Sequence, residues 1–286
     1  PKKGNYIWWS EFQRVGKKRD LPLPREFGKA EEGASILYSG GTTGTTKGIC
    51  LSSYNFNALA LQTIAASGYE SIRGCTMLSV MPVFHGFGLG VCIHTMLTQG
   101  GRCILVPRFT PKSYAKDLVK QRCNFVAGVP TLYEALLRLP DMEGADLSCL
   151  KGVFSGGDSM SIELKKKVDE FLKMHHASVQ VRQGYGLTEC VTASCLTPKD
   201  YNRVGSIGVP FPDTYYKIVK PGTEEELPYG EEGEICVRGQ GMMLGYYQMP
   251  EKTADVIRDG WYFTHDVGYL DEDGYLYLRG RKDSLI

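Results

Sequence analysis

The sequence lacks a charge imbalance and a long apolar run. Its 33 Lys and Arg residues nearly balance its 32 Asp and Glu residues, giving a formal net charge of +1. Charge therefore gives no support for binding to nucleic acid or to an anionic membrane. The longest apolar stretch, near residues 88–97, is interrupted by His94 and is shorter than the roughly 20 residues of a membrane span. The basic start also lacks the apolar stretch of a signal peptide. We expect no nucleic-acid partner and no membrane span.

Paired cysteines are missing too. The nine cysteines are scattered without a C-x-x-C pair, so neither a disulfide framework nor a zinc site is indicated. Several stand in apolar, strand-like segments, where a buried thiol behaves as a small hydrophobic side chain. The cysteines predict a reducing compartment, and hence a cytoplasmic protein.

What is present between residues 35 and 198 is an alternation of strands and helices. Short apolar or β-branched segments predict strands in 35–39, 75–81, 102–107, 123–129, 150–156 and 178–184. Helical patterns lie between them at 55–66, 111–121, 131–139 and 162–174, with Ser52 or Ser53 and Ser161 as N-caps. Alternation of this kind predicts an α/β fold with a largely parallel sheet flanked by helices.

The character of the sequence changes after Pro198. Strand-like segments at 215–219, 233–239, 261–270 and 275–280 are separated by Gly-containing turns. They predict a smaller β-rich subdomain, a distorted barrel. We expect residues 1–34 to be an N-terminal segment left from a preceding subdomain. Residues 35–198 would form the α/β subdomain, 199–279 the β-rich subdomain and 280–286 a hinge.

The sharpest motif is the segment Tyr38–Gly48, YSGGTTGTTKG. Glycines allow successive backbone N–H groups to face an anion, while hydroxyls add donors and a lysine adds positive charge. Its spacing fits neither a Walker motif nor a dinucleotide fingerprint. The alternative is a flexible hairpin loop without function. As a phosphate-binding loop it would use Ser39, Gly40, Gly41, Thr42, Thr43, Gly44 and Lys47.

This loop resembles the phosphate-binding signature of the adenylate-forming superfamily, which includes acyl-CoA synthetases, luciferase and peptide-synthetase adenylation domains. Three departures stand out: Gly40 replaces the usual serine, Thr46 the usual proline and His265 a usual glycine. The family's remaining motifs follow in order as PVFHGFGLG (82–90), GVPTLY (128–133), SGGD (155–158), QGYGLTE (183–189), WYFTHDVG (261–268) and GRKDSLI (280–286).

The resemblance implies roles around a bound nucleotide. Tyr185 would stack on adenine, although a core tyrosine is the alternative, and Thr188 would bind the α-phosphate. Glu189 would hold Mg²⁺, and Asp266 would accept hydrogen bonds from the ribose hydroxyls. His265 is expected to crowd the ribose or to shift Asp266. The remaining adenine and ribose residues would be Gly156, Gly157, Asp158, Gly184, Gly186 and Arg281, with Asp283 as the hinge.

A second group of residues would form the acyl pocket. His85 is interpreted either as a satisfied core histidine or as a catalytic residue near the carboxylate. Amino-acid-activating relatives usually carry an aspartate at this point, so an uncharged pocket favours a fatty or aryl acid. The pocket residues would be Val83, Phe84, His85, Phe87, Gly128 and Val129.

The implied reaction has two steps. A carboxylate attacks ATP, with Mg²⁺, to give acyl-AMP and pyrophosphate, and coenzyme A then takes the acyl group. In the family a C-terminal domain supplies a lysine for the first step, so we expect this chain alone to bind ATP or AMP but to turn over little. Two alternatives remain: an adenylation domain that loads a phosphopantetheine carrier protein, and a non-catalytic nucleotide-binding relative.

Overall fold

A computed structural model gives the fold of residues 8–17, 28–39, 46–201 and 203–281. The chain divides into two units, Pro1–Ala30 and Glu31–Ile286. The first contains helix α1, Trp9–Lys17, which has no buried residue. All other elements belong to the second unit.

The strands of the second unit belong to three sheets. In chain order they are β1 Gly33–Ser39, β2 Lys47–Ser52, β3 Thr76–Ser79, β4 Arg102–Leu105, β5 Phe125–Gly128, β6 Gly152–Ser155, β7 Val181–Tyr185, β8 Cys195–Leu196, β9 Val209–Pro210, β10 Thr214–Val219, β11 Gly233–Gly239, β12 Gly245–Tyr246, β13 Ile257–Arg258, β14 Trp261–Leu270 and β15 Leu276–Arg281.

The largest sheet has seven strands in the order β4-β3-β5-β6-β7-β8-β9. The first five run parallel, and β8 and β9 extend the sheet in antiparallel fashion. Helices follow as α2 Ser53–Ser67, a π-helix Phe87–Thr95 continued by α3 Met96–Thr98, α4 Pro111–Lys120, α5 Pro130–Leu137, α6 Ile162–Met174 and α7 Pro250–Val256.

Local signals place the ends of the main helices. Ser52 caps α2: its hydroxyl accepts from the Asn55 backbone N–H, and the Asn55 side chain accepts from the Ser52 N–H. Ser161 caps α6 in the same way by accepting from the Leu164 N–H. These contacts confirm the predicted caps, which satisfy backbone donors that have no partner within the helix.

The parallel sheet has a hydrophobic core on each face, because alternate strand residues point to opposite sides. Met77 and Phe125 pack with α2 and the π-helix, whereas Leu78 and Val126 pack with α4, α5 and α6. The prediction of an α/β fold with a largely parallel sheet is therefore confirmed.

The remaining strands are antiparallel. One sheet has the order β10-β11-β14-β13 with β15 paired to β14, and the other has the order β1-β2-β12. Strand β12, from the later part of the chain, pairs with β2. The proposed subdomain boundary near residue 199 stays a prediction. Within the described ranges, every helix is too short or too polar to cross a bilayer.

Candidate functional site

A cavity of about 370 Å³ opens at the carboxyl ends of β6 and β7, the edge of a parallel sheet where ligands commonly bind. Segments distant in sequence meet there. The cavity wall includes these residues singled out from the sequence: Ser39, Lys47, His85, Phe87, Gly156, Gly157, Gly184, Tyr185, Gly186, Thr188, Glu189, Asp266 and Arg281.

Other candidate residues lie elsewhere. Val83 and Phe84 are 57% and 76% exposed, because they occupy the turn before the π-helix and project into solvent; neither lines the cavity. Val129, Gly128 and Asp158 also lie outside its wall, although Val129 packs beside Gly157. The predicted phosphate-loop residues Gly40, Gly41, Thr42, Thr43 and Gly44, and the predicted hinge Asp283, lie outside the described residues.

The two ends of the glycine-rich segment are held together. Ser39 at the end of β1 pairs with Lys47 at the start of β2, so both residues that flank the predicted loop face the cavity. The Lys47 ammonium lies 4.8 Å from the centre of the Tyr246 ring. The lysine is thus oriented by a cation–π contact at the cavity wall.

Tyr185, Asp266 and Arg281 form a second group. The Tyr185 hydroxyl donates to Asp266 Oδ2 at 2.7 Å, and Arg281 Nε lies 3.4 Å from Asp266 Oδ1. Burial raises the pKa of Asp266 above its ordinary value, and the contacts with Tyr185 and Arg281 oppose that rise. Asp266 and Arg281 face each other because they are register partners on β14 and β15.

Glu189 is held by a tyrosine from the three-stranded sheet. The Tyr246 hydroxyl donates to Glu189 Oε1 at 2.9 Å. Tyr262 lies beside Glu189 and Tyr246, and burial together with these two neighbours raises the pKa of Tyr262. Both phenols therefore remain protonated donors next to the buried carboxylate.

A tight turn after Glu189 shapes this wall. Val191 has φ = 64° and ψ = −55°, and the Thr192 N–H donates to the Cys190 carbonyl at 2.8 Å. This is a γ-turn, rare and strained for a β-branched residue. The turn packs directly against Gly86: a Cβ at Gly86 would fall 1.7 Å from the Val191 carbonyl oxygen. Glycine at that point allows the His85 segment to reach the cavity.

His265 stands where the resemblance leads one to expect glycine. Its backbone is left-handed, with φ = 62°, a conformation that glycine adopts without strain. Its Nδ1 lies 3.3 Å from Glu234 Oε1, which also accepts from the His265 backbone N–H. The imidazole is thus attached to Glu234, and Asp266 keeps its contacts with Tyr185 and Arg281.

His85 lines the same cavity. Its Nδ1 accepts from the Phe87 backbone N–H at 3.1 Å, and burial lowers its pKa. His85 is therefore a neutral imidazole near pH 7, with Nε2 carrying the proton.

The cavity also extends between α2, the π-helix and the parallel sheet. We call this part the apolar chamber. Thr63, Ser67, Tyr69 and Thr95 contribute polar atoms to it. Its apolar wall is formed by Ile64, Ile72, Met77, Val91, Met96, Phe125, Phe154, Leu196 and Phe211.

The structure adds three residues to the site and its surroundings that were not predicted from the sequence: Tyr246, Tyr262 and Glu234. Tyr246 lies in a two-residue strand, which is too short to show a period. Tyr262 and Glu234 look like ordinary residues of strands in a β-rich region. Tyr262 lies inside the motif WYFTHDVG, but nothing in the motif assigns it a role. Otherwise no sequence signal distinguishes these side chains, because their contacts join segments far apart in the chain.

The sequence pattern of AMP-binding enzymes matches residues 4–247. The chain belongs to this family. The resemblance drawn from the motifs is thereby confirmed, and the relatives of this family member are acid–CoA ligases.

Two curated relatives illustrate the range. The chain is 36% identical over 271 residues to probable 4-coumarate–CoA ligase 1 of Dictyostelium discoideum, covering 94% of this chain and 48% of that protein. It is 37% identical over 258 residues to a long-chain-fatty-acid–CoA ligase of Bacillus subtilis, covering 88% of this chain and 44% of that protein. The chain thus spans about half the length of the curated relatives it matches.

A solved structure shows the same fold around an acyl-adenylate. The anthranilate CoA ligase AuaEII in complex with anthranoyl-AMP superposes with a TM-score of 0.88 at 25% identity. The match covers 100% of this chain and 54% of the other.

Proposed function

We propose that the protein activates a carboxylic acid as its acyl-AMP, with ATP as the other substrate, and passes the acyl group to coenzyme A. The observation that carries this proposal is the single cavity, which joins a charged wall suited to a nucleotide to an apolar chamber suited to an acid. The substrate carboxylate and the α-phosphorus of ATP must meet where the charged wall joins the apolar chamber.

The charged wall has a group for each part of a nucleotide. Lys47 at the base of the glycine-rich loop would attract the triphosphate. Tyr185, between Gly184 and Gly186, would border the base. Asp266 would accept hydrogen bonds from the ribose hydroxyls, for which its carboxylate has the lone pairs. Thr188 would donate to the α-phosphate.

A magnesium ion would fit beside Glu189. The buried Glu189 carboxylate faces the cavity and supplies the hard oxygen that Mg²⁺ prefers, with phosphate oxygens and waters as the other ligands. No cluster of three or more protein ligands occurs in the described part of the chain. When bound, the ion would neutralise phosphate charge, while Glu189, fixed by Tyr246, sets the position of the carboxylate ligand.

The first step depends mainly on positioning. A carboxylate and a triphosphate repel each other, and a fixed cation with preoriented N–H donors offsets that repulsion. His85 would lie next to the reacting carboxylate and donate from Nε2 to its oxygen. Because the ring is neutral, it adds a donor without a net charge.

The apolar chamber favours a fatty or aryl acid. The described residues that form the chamber include no charged side chain, so a substrate ammonium group would be buried without a partner, which is unfavourable. The names of the relatives, which include coumarate and long-chain fatty-acid ligases, support the same class and support coenzyme A as the acceptor.

Titration calorimetry with AMP and with non-hydrolysable acyl-adenylate mimics would test the proposal. We expect the chain to bind an octanoyl or benzoyl mimic at least tenfold more tightly than AMP, because one ligand then fills both parts of the cavity. A glycyl mimic, with its ammonium group, should show no such gain. Equal affinities for AMP and all three mimics would refute acid activation at this cavity. Pyrophosphate exchange with the same acids would then measure the chain's own turnover.

A further inference from the structure

The tyrosine that contacts both Lys47 and Glu189 comes from outside the segments that carry the recognised motifs. Tyr246 is 5% exposed. Its ring lies under the Lys47 ammonium at 4.8 Å, and its hydroxyl donates to Glu189 Oε1 at 2.9 Å. Tyr246 therefore contacts both Lys47, which would bind the negative phosphates of ATP, and Glu189, which would bind the Mg²⁺ held by the same phosphates.

The position of Tyr246 is fixed by its backbone. Tyr246 pairs with Ile49 on β2, the strand that begins at Lys47. The Tyr246 backbone N–H donates to Thr253 Oγ1 at 2.9 Å, and the Thr253 hydroxyl in turn donates to the Met249 carbonyl. The Tyr246 backbone is thus held between the strand that begins at Lys47 and helix α7.

We infer that Tyr246 is a positioning residue that sets the separation between the Lys47 ammonium and the Glu189 carboxylate, and so tunes the site for a metal-bound triphosphate. The inference rests on the proposed function. Without the Tyr246 hydroxyl, Glu189 Oε1 loses one of its donors, and the carboxylate can rotate toward Lys47 to form an ion pair. That pair would weaken both the metal ligand and the phosphate ligand. Nucleoside monophosphate, which lacks the β- and γ-phosphates, would be little affected.

The test is ATP binding across a Mg²⁺ titration, compared with AMP binding, in the wild-type chain and in Tyr246→Phe. Mg²⁺ should increase the affinity of the chain for ATP. We expect Tyr246→Phe to need about tenfold more Mg²⁺ than the wild type to reach half of that increase. This is the size expected for one hydrogen bond to a charged group. AMP affinity should stay at the wild-type value. Tyr246→Leu, which also removes the ring under Lys47, should weaken MgATP binding a further few-fold.

Tyr247→Phe is the matched control. Tyr247 is the next residue, its side chain is partly exposed, and its hydroxyl accepts only a long contact of 3.4 Å from Gln248. This variant should keep the wild-type Mg²⁺ dependence. The thermal unfolding midpoint of each variant shows that it folds.

Two results would overturn the inference while leaving the proposed function intact. One is a Tyr246→Phe chain with wild-type Mg²⁺ dependence. The other is an equal loss of ATP and AMP affinity, which would mean that Tyr246 only supports the fold. If the wild-type chain binds neither nucleotide, the proposed function fails, and the inference fails with it.

Discussion

The hydroxyl of Tyr185 donates a hydrogen bond of 2.7 Å to Oδ2 of Asp266, joining the end of the parallel sheet to the antiparallel sheet. Both residues are buried. A buried carboxylate is costly unless donors compensate it, so this bond supports the fold as well as the cavity wall.

Removing that donor should cost more than removing a neutral hydrogen bond. We expect Tyr185→Phe to lower the free energy of unfolding by about 1.5–3 kcal/mol, because it leaves a buried carboxylate short of a partner. The matched control is Tyr275→Phe, whose hydroxyl donates to the neutral Tyr201 carbonyl at 2.9 Å and should cost about 0.5–1.5 kcal/mol. Urea denaturation measures both. Equal losses would show that the charge of Asp266 is irrelevant.

The left-handed backbone of His265 predicts that a glycine variant at this position is more stable than an alanine variant. Either substitution loses the imidazole contact with Glu234. His265→Gly should nevertheless be more stable than His265→Ala by about 1 kcal/mol, because glycine adopts φ = 62° without strain and alanine does not. The exposed His176, with φ = 66°, provides the control: the same pair of substitutions there should show a similar gap. An alanine variant at 265 as stable as the glycine variant would contradict the backbone argument.

The raised pKa of Asp266 predicts a pH dependence. Burial raises the pKa of this carboxyl above 3.8, so between 3.8 and the raised value the folded chain holds a proton that the unfolded chain has released. Stability then falls as pH increases through this window. We expect the difference in unfolding free energy, wild type minus Asp266→Asn, to be largest at the acidic end and to decline toward neutral pH. Denaturation curves at several pH values would reveal the trend, and a difference that increases with pH would be the opposite of the expected sign.

Two threonines of the apolar chamber should respond differently to the same change. Thr63 Oγ1 is buried without a hydrogen-bond partner among the described residues, whereas Thr95 Oγ1 donates to the Gly90 carbonyl at 2.9 Å. Thr63→Val should therefore be neutral or stabilising, and Thr95→Val should lower the unfolding free energy by about 1 kcal/mol. Thermal unfolding of the two variants would decide, and a loss at Thr63 as large as at Thr95 would indicate a partner for its hydroxyl.

Sequence periodicity predicted the parallel sheet and its helices well. The bounds of α6 match at both ends, and β11 and β14 coincide with the predicted segments. The π-helix at 87–95 went unrecognised because glycines are poor helix formers. Those glycines permit close packing: a Cβ at Gly90 would lie 2.7 Å from Leu59 of α2, and one at Gly88 would lie 2.2 Å from the Pro82 carbonyl oxygen.

The candidate site was also predicted from the sequence only in part. Motif residues such as Lys47, Glu189 and Asp266 line one cavity. The chemistry of the glycine-rich loop indicated Lys47, and the resemblance to the family's motifs indicated Glu189 and Asp266. The exposure of Phe84 depends on the turn before the π-helix. The role of Tyr246 depends on the pairing of β12 with β2. Neither can be read from local pattern, since each is decided by packing between distant segments.

The pairing of Ile49 with Tyr246 also concerns the order of events during synthesis. These residues are separated by most of the chain, and a contact of such long range forms slowly because a large loop must close first. On the ribosome, the strand that begins at Lys47 emerges long before its neighbour on β12 exists. Until then its edge is open, and hydrophobic surface and strand edges exposed in this way invite aggregation. A nascent chain stalled before residue 245 should therefore depend on chaperones more than a chain released after it.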